Sequence, residues 1–107
     1  MIMQRAFRVE DARMMLHIIV SGVVQGVGYR QWLRERALAA GVTGWVRNRS
    51  DGMVEALLCG APETVENLVA EARKGPRGAV VADIERREAS ASAAALANGD
   101  FTIARSI

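Results

Sequence analysis

The sequence predicts an α+β fold, a ferredoxin-like split β-α-β sandwich in which two helices pack on one face of an antiparallel sheet. Three observations predict it: an apolar β-branched run near the start, two segments with apolar residues at helical spacing, and turn signals between them. The resulting order is β-α-β-β-α-β with a terminal strand. A right-handed crossover makes the first two strands parallel, with the third inserted between them, so their carboxyl ends share one edge.

The first half of the chain contains two predicted strands and one predicted helix. Residues 14–20 are apolar and β-branched, which predicts a central strand that ends at Ser21-Gly22. Residues 43–48 predict the second strand, before a turn at residues 50–52. The intervening helix is predicted from apolar positions at helical spacing and a glycine stop: Tyr29, Leu33, Ala37, Ala40 and Gly41.

The second half begins with a returning strand at residues 53–59 and continues with the clearest helix. Pro62 suits the first helical position, and Gly75-Pro76 ends the helix. Its buried stripe is predicted from spacing alone: Val65, Leu68, Val69 and Ala72. The remaining predictions are a strand at residues 79–88, a loop at 89–98 with a weak helical turn as the alternative, and a short closing strand at 101–105.

Length and composition indicate one domain. The chain has 107 residues, of which 50% are apolar and 24% charged. We predict a single domain at residues 14–107 preceded by a flexible leader, residues 1–13. That leader lacks the apolar stretch of a secretory signal, and no run is long enough to cross a membrane. We therefore expect a monomeric cytoplasmic protein.

Charge and residue counts exclude several functional classes. One cysteine permits no internal disulfide, and one cysteine with one histidine nearly excludes a structural zinc site. A formal net charge of +2 gives little attraction for nucleic acid. Single-stranded RNA binding is a weak alternative, because the five aromatic residues form no recognisable RNA-binding motif.

The segment between the first strand and first helix, residues 22–28, is here named the glycine loop. Its three glycines let main-chain N–H groups turn toward a ligand, and Arg30 follows in the first helical turn. This pattern predicts an anion cradle, although a tight strand-to-helix turn explains the glycines equally well. Asn48 ends the second strand, roughly 10 Å away if one strand intervenes. Neither the Walker nor the dinucleotide spacing is present.

Two motifs resemble the acylphosphatase family. The stretch GVVQGVGYR at residues 22–30 resembles its signature, and GWVRN at 44–48 resembles its second block. Asp51-Gly52 and Val54-Glu55 continue that block, while Gly75-Pro76 and Phe101 also fit. The resemblance spans residues 16–105. It departs from the pattern only in the leader and in the Ala/Ser stretch near residues 91–95.

The resemblance implies hydrolysis of small-molecule acyl phosphates to a carboxylate and inorganic phosphate. It assigns water orientation to Asn48 and phosphate binding to Arg30, and it implies no metal and no cofactor. The implied phosphate-binding residues are Val24, Gln25, Gly26, Val27, Gly28, Tyr29 and Arg30. The alternative is a non-catalytic module that binds phosphate or acyl phosphate without turnover.

Several polar residues are expected to have no role in chemistry. Strand alternation points His17 away from the glycine loop, so we expect it to pack on a sheet face. Arg47 and Arg49 are expected to be simply exposed, with a positive local potential as the alternative. Cys59 is expected to be an unreactive apolar residue at a strand end.

Overall fold

The computed structural model describes residues 13–107, so the predicted leader lies outside the described residues except for Arg13. The strands are β1 (Met14–Val23), β2 (Thr43–Asn48), β3 (Val54–Gly60), β4 (Val80–Glu88) and β5 (Phe101–Ile103). The helices are α1 (Tyr29–Ala40), α2 (Pro62–Lys74) and α3 (Ala91–Ala95). The described elements form one five-stranded sheet in the order β4-β1-β3-β2-β5.

The sheet has the predicted split β-α-β arrangement. β3 lies between β1 and β2 and pairs antiparallel with both, and β4 pairs antiparallel with β1. At the far edge β5 runs parallel to β2, so the sheet is antiparallel except for this pair. The parallel pair arises because the chain leaves β4 at one edge and crosses the sheet before it adds β5 at the other.

The main core lies between α1, α2 and one face of the sheet. Tyr29 and Leu33 of α1 and Leu68 of α2 are buried against alternate residues of the central strands, such as Ile18 and Leu58. Helical spacing predicts these buried positions, but Ala40, which it also placed in the stripe of α1, is exposed. None of the helices in residues 13–107 is long and apolar enough to cross a bilayer.

The far face, meaning the sheet face opposite α1 and α2, is covered in part by a short segment between β4 and β5. Residues 89–98, predicted as a loop, contain the five-residue helix α3, so the helical-turn alternative is the observed one. Ser90 caps this helix by accepting a hydrogen bond from the main-chain N–H of Ala93. Trp45 donates from Nε1 to the Ala93 carbonyl at 2.9 Å, and both pack with Leu57. α3 therefore shields the indole of Trp45 from water.

Two glycines allow close approach between strands. A Cβ atom on Gly44 would lie 1.8 Å from the Leu57 carbonyl oxygen, and one on Gly22 would lie 2.2 Å from that of Val80. Both residues have positive φ angles, 137° and 117°, which side chains rarely tolerate. The β1–β4 register shifts between Ser21 and Gly22, and this irregularity lets β1 continue through Val23, beyond its predicted end.

Candidate active site

A cavity of about 230 Å³ lies where the glycine loop enters α1 and β2 ends. We call it the loop cavity. Its position follows from the topology, because the crossover brings the carboxyl ends of β1 and β2 to one edge of the sheet. The residues that line it are Val24, Gln25, Gly26, Gly28, Tyr29, Arg30, Gln31, Asn48 and Ile103.

The glycine loop contributes backbone rather than side chains to the loop cavity. Gly26 and Gly28 have φ angles of 74° and 78°, and a Cβ atom at either would meet no protein atom within 4 Å. Their conformation therefore needs glycine while the space above them stays open. The helical hydrogen bonds of α1 begin with Trp32 N–H to the Gly28 carbonyl at 3.0 Å. The three preceding N–H groups thus have no intrahelical acceptor and form the positive end of the helix dipole.

Arg30 places a guanidinium at this helix end and is half-buried there. Among residues 13–107, no carboxylate lies within ion-pairing distance of Arg30. Other arginines are engaged: Arg47 with Glu55, Arg86 with Glu66 and Arg87 with Glu85. A guanidinium beside several N–H donors forms a site suited to phosphate, which accepts hydrogen bonds from both.

Asn48 supplies the loop cavity with an amide. Its Oδ1 is buried and accepts no hydrogen bond within the described part of the chain. Buried amide oxygens are normally satisfied by the protein or by an ordered water molecule. The main chain of Asn48 is held in place, because its carbonyl accepts the N–H of Ile107 at 3.1 Å. The side chain of Asn48 therefore keeps unused hydrogen-bonding capacity at a residue that lines the cavity.

Gln25 joins the glycine loop to the hairpin that carries Asn48. Its Nε2 donates to the carbonyl oxygens of Arg49 and Met53, both at 2.8 Å. Those two residues flank the β2–β3 turn, immediately after Asn48. One side chain thus connects the glycine loop to the hairpin that carries Asn48.

The far face carries a charged network behind Asn48. Glu55, only 3% exposed, contacts Arg47 at 2.6 Å, His17 at 2.8 Å and Arg49 at 3.8 Å. Burial alone raises the pKa of Glu55, but hydrogen bonds from Arg47 and His17 outweigh burial and hold that pKa below its usual range. Arg47 also lies over the ring of Trp45, 4.7 Å from its centroid.

This network changes the interpretation of three residues. His17 packs on the sheet as predicted, with its ring 6.0 Å from that of Trp45, and it does not line the loop cavity. The simple exposure expected for Arg47 and Arg49 is wrong, because both are half-buried and paired with Glu55. The pairing of Arg47 opposite Glu55 in adjacent strands was the signal available in the sequence.

The structure brings most of the predicted site residues to one place. The sequence-predicted residue Val27 packs against the main core and does not line the loop cavity. Gln31 and Ile103 line it without having been predicted. Gln31 follows Arg30 directly, whereas Ile103 reaches the site only because β5 runs parallel to β2. Within residues 13–107, no three His, Cys, Asp or Glu side chains are grouped to hold a metal.

Fold and site together define a class: a ferredoxin-like α+β domain with a cationic, main-chain-lined cavity at the start of its first helix. Comparison with known proteins is more specific. The family model for acylphosphatase matches residues 16–103. An acylphosphatase from Bradyrhizobium diazoefficiens is 48% identical over 80 residues, which are 75% of this chain and 81% of that protein. An acylphosphatase from Rhizobium etli is 49% identical over 70 residues, which are 65% of this chain and 74% of that protein.

A solved structure agrees with these relatives. The acylphosphatase from Coxiella burnetii superposes with a TM-score of 0.78 at 33% identity, over 89% of this chain and 96% of that one. The chain belongs to the acylphosphatase family. It is accordingly a hydrolase of the ferredoxin-like fold, and its family acts on small acyl phosphates.

Proposed function

We propose that Arg30 and the main-chain N–H groups of the glycine loop hold the phosphoryl group of an acyl phosphate, while Asn48 orients the attacking water. One observation carries this assignment. Arg30, the first residues of α1 and Asn48, whose Oδ1 accepts no hydrogen bond from the described residues, line the same cavity of about 230 Å³. The proposed reaction uses no metal and no organic cofactor.

Phosphate binding depends on donors that are already in place. The donors are the N–H groups at the start of α1 and the guanidinium of Arg30, which together suit a phosphoryl dianion. Their hydrogen bonds to the phosphoryl oxygens become stronger in the transition state. The residues assigned to this role besides Arg30 remain Tyr29 at the start of α1 and five residues of the glycine loop: Val24, Gln25, Gly26, Val27 and Gly28. Gln25 contributes its main chain and, through its side chain, the position of the loop.

The water is oriented but not deprotonated by Asn48, since a neutral amide cannot act as a base at neutral pH. The water oxygen forms a bond to phosphorus, and the bond from phosphorus to the acyl oxygen breaks. The carboxylate leaves with that electron pair, and both protons of the water remain on the phosphate. One acyl phosphate dianion and one water thus give one carboxylate and one dihydrogen phosphate. Because the carboxylate leaves readily, positioning and charge stabilisation supply most of the rate.

The proposal predicts a rate that is nearly independent of pH from 5 to 8. Tyr29 and Arg30 are the ionisable side chains among the lining residues, and burial raises the pKa of the Tyr29 phenol well above its usual range. The pKa of Glu55 is lower in the folded protein than its unfolded value of about 4.3. The ionised carboxylate therefore stabilises the fold fully above about pH 4.3, and this stabilisation is lost only as the pH falls below that value. Turnover at constant ionic strength checks this. A loss that follows one side-chain titration within that range contradicts it.

The decisive experiment measures phosphate release from benzoyl phosphate by the purified full chain, with and without EDTA. We expect turnover that EDTA does not change. Saturable binding of inorganic phosphate without turnover would support the alternative, a non-catalytic phosphate-binding module. Turnover abolished by EDTA and restored by a divalent cation would contradict the metal-free mechanism.

Replacement of Gln25 by leucine is expected to lower kcat/KM for benzoyl phosphate by roughly tenfold or more. The change removes both hydrogen bonds to the Asn48 hairpin at nearly constant size, and small displacements of reacting groups are costly. Gln31→Leu is the matched control, since Gln31 also lines the cavity but its amide, among residues 13–107, bonds only Glu35, at 3.4 Å. Equal rates for the two leucine variants, measured at saturating and limiting substrate, would remove the positioning role.

A further inference from the structure

Ile103 places an exposed apolar side chain at the loop cavity. It lies on β5 opposite Val46 of β2, two residues before Asn48 along that strand. Alternation along β5 puts Ile103 on the same sheet face as Phe101, which packs in the main core with α1. The side chain is 40% exposed and lines the cavity. β5 therefore forms an apolar border next to the proposed water-binding amide.

The other large apolar side chains of the loop cavity are already covered by protein. Val24 and Tyr29 are each 1% exposed, and the Tyr29 hydroxyl donates to the Ala72 carbonyl at 2.8 Å. Among the lining residues described by the structure, Ile103 thus supplies the large apolar surface that a ligand can still cover. Covering such a surface is favourable in proportion to the apolar area removed from water.

An acyl phosphate has two chemically different ends. The guanidinium of Arg30 and the N–H groups at the start of α1 suit the phosphoryl end. They offer nothing to an apolar acyl group. Ile103 approaches from β5, on the opposite side of β2 from the strand that leads into the glycine loop. A substrate whose phosphoryl group sits at the glycine loop can therefore direct its acyl group toward β5.

We propose that Ile103 is a specificity-determining residue that contacts the acyl group, so that the enzyme favours acyl phosphates with aromatic or branched aliphatic acyl groups over acetyl phosphate. The proposal rests on the proposed function, since it assumes that the phosphoryl end binds at the glycine loop. Acetyl leaves most of the Ile103 surface in water, whereas a benzoyl ring covers it.

The test compares kcat/KM for benzoyl phosphate and acetyl phosphate in the parent, Ile103→Ala and Ile103→Leu. A missing methylene in a closed pocket costs at least about tenfold, and this border is partly open. We therefore expect Ile103→Ala to lose roughly fivefold or more on benzoyl phosphate, mainly through KM, and less than about twofold on acetyl phosphate. Ile103→Leu keeps the apolar bulk and should retain the parent preference. Leu96→Ala is the matched control, because Leu96 is 43% exposed and lies outside the cavity.

The possible outcomes separate this inference from the proposed function. An unchanged ratio of the two substrates in Ile103→Ala, or an equal loss on both, overturns the role of Ile103 while hydrolysis itself stands. A parent that releases phosphate from neither substrate overturns both. Circular dichroism melts confirm that each variant is folded. If the alanine variant is not, Ile103→Thr keeps a β-branched strand residue with less apolar surface and should show the same selective loss on benzoyl phosphate; an unchanged substrate ratio in that variant overturns the role of Ile103.

Discussion

Arg30→Ala is expected to lower kcat/KM for benzoyl phosphate by at least about 100-fold, the scale for loss of one preorganised donor. The guanidinium is the cationic side chain among the residues that line the loop cavity, and its loss leaves the phosphoryl dianion with main-chain donors only. Since the charge on the phosphoryl oxygens is present before and during reaction, both KM and kcat should worsen. Phosphate release, together with inhibition by inorganic phosphate, measures both effects.

Two further variants sharpen this expectation. Arg30→Lys keeps the charge but loses the planar fork of donors, so it should recover only part of the activity. Arg73→Ala removes an exposed arginine from the last turn of α2 and controls for the change in net charge. Parent-like hydrolysis by a folded Arg30→Ala variant would show that the phosphoryl group binds elsewhere.

Asn48→Ala is expected to lower kcat by roughly 100-fold while KM changes little. The amide is proposed to act on the water rather than on the phosphoryl group, so its loss affects the transition state more than substrate binding. Stability gives an independent readout. Oδ1 makes no hydrogen bond within residues 13–107, so truncation removes no protein hydrogen bond of that atom and should leave the melting temperature unchanged or slightly higher.

Controls for Asn48 address charge and surface effects. Asn48→Asp keeps the shape but places a carboxylate beside a phosphoryl dianion, so it should also be slow, with a raised KM. Asn67→Ala removes an exposed asparagine from α2 and should behave like the parent. A large drop in melting temperature for Asn48→Ala, with kcat preserved, would assign Asn48 to structure instead of catalysis.

The fold could be predicted because its main features are local or follow from chain handedness. Helical spacing located α1 and α2, and the right-handed crossover ordered β1, β3 and β2. The prediction failed where tertiary contacts decide the structure. β1 continues beyond its predicted end at Ser21-Gly22, because its pairing with β4 shifts register at that point. The segment predicted as a loop forms α3, because it packs against Trp45.

In the site, too, residues that are close in sequence could be predicted, whereas those placed by tertiary contacts could not. The glycine loop and Arg30 are neighbours in sequence, and topology alone brings Asn48 to their edge of the sheet. The direction of the Gln25 side chain could not be predicted, since it depends on the carbonyls of a distant turn. Ile103 and the buried Glu55 depend on strand register, which becomes visible only when paired strands are aligned.

The position of β4 at the border of the sheet has a consequence for self-association. β4 has nine residues, and no further strand in the described part of the chain pairs with its outer side. Such a border can recruit a strand from another molecule and start aggregation. Five charged side chains interrupt it: Asp83, Glu85, Arg86, Arg87 and Glu88. Stripping water from those charges opposes intermolecular strand addition, so this border resists the growth of extended β-assemblies.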